Sequence, residues 1–440
     1  MLISTAHTAD HADVIVVGAG VAGLSAALRL TRAGVSVSVL EGADRPGGRL
    51  ATEEVDGFRL DRVGRLLSVA HPASQRAAAL AGVVLRPFAP GVLMHSGGQL
   101  HRTGETVHRP GATVSARGAF TVARALASAP RPLDEARLGA SLARLANTSA
   151  ERLLTRAERP TAAALHSRGL PSRTVQGFLR PLLSALLCDP ELMTSSRCAD
   201  LVLRGFARGR LCVPAGGSAA LPERLAAALP PGTVLTGVRV KEASINRVST
   251  EEYGGLSCRA LIVATGAREA AVLLPGLRVP AFHPVTVVHH TAPQAPPTGA
   301  ALVLDADSVG PVSYTAVMSE VDPDRAPAGR VLISSTLLGA PPPHPDREVR
   351  AHLARLYGTS TDDWEPLAVH HTPDAVPAMP PPHDPRRPVR LLAGLYVCGD
   401  HRATSTVQGA LHSARRVADA VLQDFGLARP GVPTRLPFAA

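Results

Sequence analysis

Three glycines and an acid are the first residues whose types and spacing could do chemistry. Gly18, Gly20 and Gly23 stand in the pattern G-x-G-x-x-G, and Glu41 follows 18 residues after the last of them. In such a pattern the first glycine permits a tight turn and the second lets the backbone approach a pyrophosphate. The third lets a helix pack closely on a strand. A helix opening at this loop offers free N–H groups and its positive dipole end to the phosphates. A carboxylate at Glu41 suits hydrogen bonds from an adenosine ribose. It would repel a 2′-phosphate, which disfavours NADP, but it does not separate NAD from FAD.

Two further groups narrow the ligand. "RPGGRL" places Arg45, Gly47, Gly48 and Arg49 just after Glu41 and Gly42. A glycine pair brings N–H groups close to an anion, and the flanking arginines neutralise pyrophosphate charge. Near the C-terminus, Gly399-Asp400 follows an apolar run. An acid there does not favour a phosphate, but it accepts hydrogen bonds from a sugar-alcohol chain. "TVQGAL", starting six residues beyond Asp400, opens a helix. Its N-terminal N–H groups suit an electron-rich ring edge, such as the N1–C2=O region of a reduced flavin.

Positioning these residues requires a βαβ unit, and Asp13 to Gly42 reads as one. Val14 to Val17 is an apolar run suited to a strand buried on both faces. Ala22 to Ala33 has helical spacing, Gly34 ends it, and Val35 to Leu40 predicts the second strand. "GFRLDRVG" predicts a strand over Gly57–Gly64, and Ala219 to Leu229 an amphipathic helix. After the break at Pro230-Pro231-Gly232, a strand is expected over Val234–Val240. "CRALIVATGA" gives an apolar strand ending at Thr265-Gly266, and Gly394 to Leu422 reads as strand, glycine turn, helix. Two blocks lie between. One, near 87–210, has helical stretches such as Leu153–Arg168 and Val175–Leu187. The other, near 279–388, reads as strands with the proline-rich loops "PPPHPDRE" and "MPPPHDPRRP", plus the helix "DREVRAHLARLYG". The expected fold class is therefore α/β. A discontinuous dinucleotide-binding domain is built from 13–86, 211–278 and 389–428. An α+β substrate domain is inserted as a mostly helical part, 87–210, and a sheet-rich part, 279–388. No internal repeat is present.

The 440 residues suffice for two or three domains. The formal net charge is +10, but Lys241 is the single lysine, and the arginines are scattered. Aromatic residues are 3% of the chain, too few to interleave with a basic patch, so nucleic acid is not an expected partner. Five cysteines, none in a C-x-x-C pair, make neither a disulfide framework nor a zinc site expected, which fits a reducing compartment. The histidine doublets His289-His290 and His370-His371 would point to opposite faces of a strand, so no metal is expected from them. Residues 1–12 read as a loose leader without a signal-peptide pattern. No apolar run reaches the length of about 18 residues that a membrane span needs. A cytoplasmic location is expected, with peripheral contact to a membrane surface left open.

On "VIVVGAGVAGLSAALRL", "LEGADRPGGRL", "VPAGGSAALPERLA", "ALIVATGA" and "GLYVCGDHRATSTVQGALHSARRVA" the chain resembles the flavin-containing amine oxidase superfamily. That superfamily includes phytoene desaturases and protoporphyrinogen oxidases. The resemblance is nearest its bacterial desaturase-like branch, whose look "TSSRCADLVLRGFARGRLCVPAGGSAALP" shares. It implies a Rossmann-like domain of glutathione-reductase type and non-covalent FAD. It implies that Gly18, Gly20, Val21, Ala22 and Gly23 hold the pyrophosphate, with Glu41 and Gly42 at the adenosine ribose. Arg45, Gly47, Gly48 and Arg49 would lie beside the phosphates and flavin, and the Val238 backbone would pair with adenine. Gly64, Arg65, Thr265, Gly266, Gly399, Asp400, Val407, Gln408 and Ala410 complete the implied cofactor set. Cys398 is expected to pack rather than to bind flavin covalently.

Two departures stand out. Family members have an acid, one residue and a glycine before the flavin-facing loop, whereas two residues separate Asp61 from Gly64. Many amine oxidases use a lysine near flavin N5, whereas Lys241 falls on the adenine side. The implied activity is dehydrogenation of a small apolar organic substrate by hydride transfer to flavin N5. Oxygen, a quinone and a nicotinamide remain open as electron acceptors, as does the oligomeric state. No catalytic side chain is assigned; Arg65, His283 and Tyr314 are candidates to line the pocket. The alternatives are an amine oxidase releasing hydrogen peroxide and a non-catalytic binding protein like the Rab GDP-dissociation inhibitors.

Overall fold

The short apolar runs of the sequence become the strands of a six-stranded sheet. In the computed structural model, which describes residues 12–68, 82–103 and 132–427, that sheet has a fixed order. It runs Val234–Leu235, Val37–Leu40 (β2), Val14–Val17 (β1), Ala260–Val263, Leu395–Val397, Arg390–Leu392. All neighbours are parallel except the last pair. β1 is buried along its whole length, and its alternate side chains enter two different cores. Val14 and Val16 pack with helix α1 (Val21–Arg32) and the C-terminal helix Val407–Asp424. Ile15 and Val17 pack on the other face with Val238, Leu261, Val263 and Leu273. A strand covered on both faces has no use for polar alternation, which explains its unbroken valine–isoleucine run.

A second sheet has seven strands, in the order Glu365–Pro377, Phe282–Ala292, Val331–Leu338, Tyr314–Val317, Val303–Asp305, Val92–Ser96, Gln99–Thr103. It is antiparallel apart from the parallel pair Val303–Asp305 and Val92–Ser96. One face carries Leu304, Tyr314, Ala316 and Leu332 into a large core shared with helices Ser196–Arg208 and Arg180–Leu187. The other face buries Val303, Val317 and Ile333 beneath helix Pro345–Tyr357. The fold is thus mixed α/β with one mainly parallel and one mainly antiparallel sheet. Among the described residues no helix is long and apolar enough to cross a membrane.

Several boundaries differ from the sequence expectations. The helix expected over Leu153–Arg168 is two short ones, Ala150–Leu154 and Thr161–His166, because Pro160 disfavours helical geometry in the residue before it. The run Val175–Leu187 starts earlier, at Ser172, and passes through a π turn at Val175–Leu179. "PPPHPDRE" is not all loop, since Pro345 takes the first helical position, where its missing N–H costs nothing. The strand expected over Val234–Val240 breaks at Gly237, whose φ is +72°. Only Val234–Leu235 stays in the six-stranded sheet, and Val240, the last residue of the expected strand, opens Val240–Ser244 in a separate three-stranded sheet. β2 begins at Val37 rather than Val35, and the Gly57–Gly64 strand shrinks to Phe58–Asp61. The leader, apart from residue 12, lies outside the described residues, as do 69–81 and 104–131 of the proposed blocks.

Candidate functional site

Each glycine of the first loop sits where a side chain would be felt differently. Gly18 has φ +105°, and a Cβ there would lie 3.1 Å from the Ala264 carbonyl group. Its neighbour across the sheet is therefore the Ala264-Thr265-Gly266 turn, and Gly266 caps the helix Ala267–Leu273. A Cβ on Gly23 would lie 2.0 Å from the Gly18 carbonyl oxygen, so this glycine sets the approach of α1 to β1. A Cβ on Gly20 would meet nothing within 4 Å. The open side of Gly20 is the entrance of a cradle. Gly20 caps α1 without any side-chain hydrogen bond, leaving Val21, Ala22 and Gly23 in a first turn whose N–H groups have no helical acceptor.

The second glycine pair closes the cradle. The Gly47 N–H donates to the Ala19 carbonyl at 3.1 Å, and Gly20 and Gly47 form a bridge. Gly48 has φ +58° and lies against the Gly20 Cα. Of the two arginines flanking this pair, Arg45 is exposed beside Asp44, and only Arg49 is built into the site. Arg49 Nη2 donates to Asp400 Oδ1 at 2.6 Å and Nη1 to the Ala375 carbonyl at 3.0 Å. Burial opposes ionisation of Asp400, but the charge and hydrogen bond of Arg49 outweigh it and hold the carboxyl below the usual range. Arg49 and Asp400, 351 residues apart, thus join the first and last parts of the sheet domain at one point.

Glu41 does more than expected. Its carboxylate accepts the Ala19 N–H at 2.7 Å and the Ala43 N–H at 2.9 Å. It therefore ties the glycine loop to the end of β2, with lone pairs remaining for a ligand hydroxyl. Gly42 packs against Arg239. Val238 is buried beside them, but its N–H already donates to the Glu41 carbonyl at 2.8 Å. An adenine pairing with the Val238 backbone finds that donor taken. We predict that Glu41→Arg retains about tenfold less flavin than wild type through loss of charge-assisted bonds. The absorbance ratio of flavin to protein after purification measures it, and an unaltered ratio would remove Glu41 from the site.

At the far end, Gly399 (φ +145°) donates its N–H to Ser413 Oγ at 3.0 Å. The C-terminal helix opens at Val407, with Thr406 as N-cap accepting the Gly409 N–H at 3.0 Å. Val407, Gln408 and Ala410 therefore occupy its first turn. Gly409 was not expected in the site, yet a Cβ there would sit 1.8 Å from the Thr404 carbonyl oxygen. The threonine-rich "TSTVQG" is the signal for it, an N-cap followed by a glycine. Arg65 donates to the Ser405 carbonyl and to Cys188 Sγ, which fixes it at this helix opening rather than near the phosphate loop.

Gly64 and Arg65 line a small cavity. Its apolar lining includes Leu66, Phe88, Val287 and Leu302. Tyr314 lines it and donates its hydroxyl to the Gly64 carbonyl at 2.8 Å; burial pushes that phenol well above its ordinary range, so it stays neutral. His289 also lines it and was not expected there. Its Nε2–H donates to the Asp61 carbonyl at 3.1 Å, and Nδ1 accepts from Ser334 Oγ at 2.8 Å. Burial first, then His370, push its pKa to about 3, so the ring is neutral. His283 does not line the cavity; it stands half-buried with Nε2 4.0 Å from Asp189 Oδ2.

The departure at Asp61 has a structural meaning. Asp61 does not face the cavity as a free acid. It accepts Arg325 at 2.7 Å, the Ser218 N–H and Oγ at 2.8 Å each, and Thr52 Oγ1 at 2.7 Å. Asp61 and Arg325 are both nearly sealed from solvent. No carboxylate among the lining residues is therefore available as a base or as a partner for a cationic ligand. Lys241 is far from this arrangement in role as well as in sequence, an exposed strand residue paired with Glu251. All five cysteines are free, and burial pushes the Cys398 thiol up to about 12, consistent with packing.

A family model described as flavin-containing amine oxidoreductase matches residues 21–422. Putrescine oxidase of Kocuria rosea is 52% identical over 62 residues, 14% of this chain and 13% of that protein. Phytoene dehydrogenase of Streptomyces griseus is 52% identical over 60 residues, 14% of this chain and 11% of that protein. The matched stretches thus span less than a sixth of those relatives. Among solved structures, an oxidoreductase from Methanosarcina mazei superposes with TM-score 0.69 at 16% identity, covering 92% of this chain and 99% of that one. Putrescine oxidase bound to putrescine superposes with TM-score 0.67 at 18% identity, covering 94% and 99%. At these identities the likeness is one of fold.

Proposed function

The chain belongs to the flavin-containing amine oxidoreductases, a family of FAD-dependent oxidoreductases, and from that premise we propose that it dehydrogenates a neutral, apolar organic substrate. The observation that carries this reading is the cavity beside Gly64 and Arg65: apolar side chains make up about half of its lining, and its acid, Asp61, and its histidine, His289, are both engaged by the protein. FAD, when bound, would supply the electron sink for that dehydrogenation. The residues present fit it: an open cradle at Gly20, an uncapped helix at Val21, and an arginine–aspartate pair at Arg49 and Asp400.

In this reading Gly20, Val21, Ala22, Gly23 and Gly48 would offer backbone N–H groups to the pyrophosphate, while Gly18 and Gly47, whose own N–H groups go to the Leu40 and Ala19 carbonyls, shape the loop around it. Glu41 receives the adenosine ribose, Arg49 neutralises phosphate charge, and Asp400 accepts from the ribityl chain. The first turn of the C-terminal helix, at Val407 and Gln408, would offer its N–H groups to the pyrimidine edge of the ring. A carbonyl edge that gains negative charge is stabilised there by the helix dipole. Tyr314 keeps its proton and both ring nitrogens of His289 are engaged by Ser334 and the Asp61 carbonyl, so neither is free to withdraw a proton from substrate; their task is to shape and dry the cavity. The cofactor is held without a covalent bond.

The domain reading has the same support. The mainly parallel sheet takes its strands only from segments within 13–86, 211–278 and 389–428. The seven-stranded sheet takes its own from within 87–210 and 279–388. We therefore assign the first set to a Rossmann-like FAD-binding domain of glutathione-reductase type and the second to an inserted substrate domain.

Amine oxidation is the second reading, favoured by the likeness to putrescine oxidase. A diamine would need a carboxylate to hold its cation, and Asp61 is fully engaged by Arg325, Ser218 and Thr52. Anaerobic visible spectra separate the two. Bleaching of the oxidised flavin by a pool of polyenes and other isoprenoids or of porphyrinogens, with no response to amines, is the expected result. Bleaching by amines alone, with hydrogen peroxide released in air, would transfer the assignment to amine oxidation.

A further inference from the structure

On the face of the seven-stranded sheet opposite the cavity, three segments bring metal-binding side chains together. His95 and Asp305 are register partners on the parallel strands Val92–Ser96 and Val303–Asp305, and Asp307 follows two residues on. Leu93 and Val303, two residues before His95 and Asp305, belong to the core beneath helix Pro345–Tyr357, so the cluster lies under that helix. Donor atoms of His95, Asp305 and Asp307 all lie within 4.8 Å of one another. His95 Nδ1 stands 3.9 Å from Asp305 Oδ1 and 3.9 Å from Asp307 Oδ2.

Those distances are too long for hydrogen bonds. They match two donors that share one ion, each about 2.0–2.2 Å from it, with an angle above tetrahedral. The His95 side chain is 6% exposed, and neither ring nitrogen has a partner. A buried imidazole without partners is costly, and an ion at Nδ1 removes part of that cost. The acids are already oriented for it. Asp305 accepts the N–H groups of Asp307 and Val309 at 3.1 Å each. Asp307 accepts Ser96 Oγ at 2.9 Å and the Gly97 N–H at 2.8 Å. His352 takes the Val312 N–H on Nδ1, so its proton sits on Nε2, 3.2 Å from Asp305 Oδ2. It is a positioning residue for that carboxylate.

We propose that His95, Asp305 and Asp307 bind one divalent first-row transition-metal ion, with water completing its coordination, as a clasp between the sheet and the loop after Asp305. An imidazole with two carboxylate oxygens favours zinc, cobalt or nickel over calcium and magnesium. The site is separate from the flavin chemistry, so its test does not depend on the substrate.

The test is calorimetric titration of the flavin-loaded, EDTA-treated full chain with zinc chloride, repeated with cobalt chloride while recording visible absorbance. One ion per chain, a raised thermal midpoint and a cobalt d–d band are expected, with calcium chloride giving none of these. Asp307→Asn, at a partly exposed position that the fold tolerates, should bind zinc about tenfold more weakly or worse. His95→Gln should lose the zinc-dependent rise in thermal midpoint. Absence of zinc binding by wild type, or zinc binding undiminished in Asp307→Asn, would overturn the proposal.

Discussion

Gly20→Val folds normally and loses its flavin. The structure separates these two effects because a Cβ at this position meets no atom within 4 Å. The backbone there has φ −76° and ψ 176°, an extended conformation that valine adopts without strain. The Cβ of the new side chain meets no protein atom, whereas a pyrophosphate in the cradle would meet it. Flavin affinity is expected to fall by about 100-fold or more, which corresponds to about 2.8 kcal/mol. The thermal midpoint of the apoprotein should stay within about 2 °C of wild-type apoprotein, as for an uncoupled surface change. Gly23→Ala is the contrasting variant. Its Cβ would stand 2.0 Å from a carbonyl oxygen in β1's own loop, a backbone atom that cannot step aside. That overpacking destabilises the apoprotein by about 1–3 kcal/mol or more before any ligand is added. Fluorescence titration with FAD and differential scanning calorimetry of both apoproteins read the two outcomes. A Gly20→Val protein that binds FAD like wild type would displace the cofactor from this loop.

The same contrast shows what the sequence could and could not reveal. Gly18, Gly20 and Gly23 were legible because their constraint is local: one turn, one helix start, one strand. Glu41 was legible for the same reason, standing at the end of β2. The pairing of Arg49 with Asp400 was legible only as two separate anion- and sugar-facing motifs, since 351 residues divide them. His289 stands out in the sequence as half of a doublet but not as a cavity residue, because the cavity beside it is completed by Gly64, Phe88 and Tyr314 from three other segments. The sequence reading gives the Val238 backbone to adenine, but its N–H is spent on the Glu41 carbonyl, a bond set by how the chain bends after the Val234–Leu235 strand. The helix expected over Leu153–Arg168 failed at Pro160, where a backbone restriction outweighed favourable spacing. Distances in three dimensions, not residue types, also assemble His95 with Asp305 and Asp307, whereas the conspicuous histidine doublets do not form such a cluster.

Arg325→Ala carries the largest expected loss of stability, because it strands a buried charge. Arg325 is 2% exposed and holds Asp61 at 2.7 Å, Asp322 at 3.1 Å and the Pro214 carbonyl at 3.2 Å. Removing one partner of such a pair costs about 3–5 kcal/mol. Burial pushes the Asp61 carboxyl upward, but Arg325, the Ser218 N–H and Thr52 together pull it below its ordinary value. A carboxyl depressed in the folded state contributes stability above its unfolded pKa and loses it as pH falls through the folded one. In wild type that contribution is therefore constant from about pH 5 to 8. In Arg325→Ala the push of burial loses its main opponent, and the folded pKa of Asp61 rises. The variant then prefers a protonated Asp61, so its deficit is largest near pH 8 and shrinks toward pH 5. Urea unfolding of both proteins across that range measures the deficit. A deficit under about 1 kcal/mol, or one that does not change with pH, would show that the pair is not the clamp described. Asp61→Asn/Arg325→Met removes both charges and should cost less than the sum of its single changes, since the two act on one interaction. Function enters through the backbone. Asp61 leads directly into Val63, Gly64 and Arg65, and its own carbonyl holds His289. A clamp that loosens here shifts the cavity wall beside the flavin, so Arg325→Ala should also bind FAD less tightly, although Arg325 itself is expected to make no contact with the cofactor.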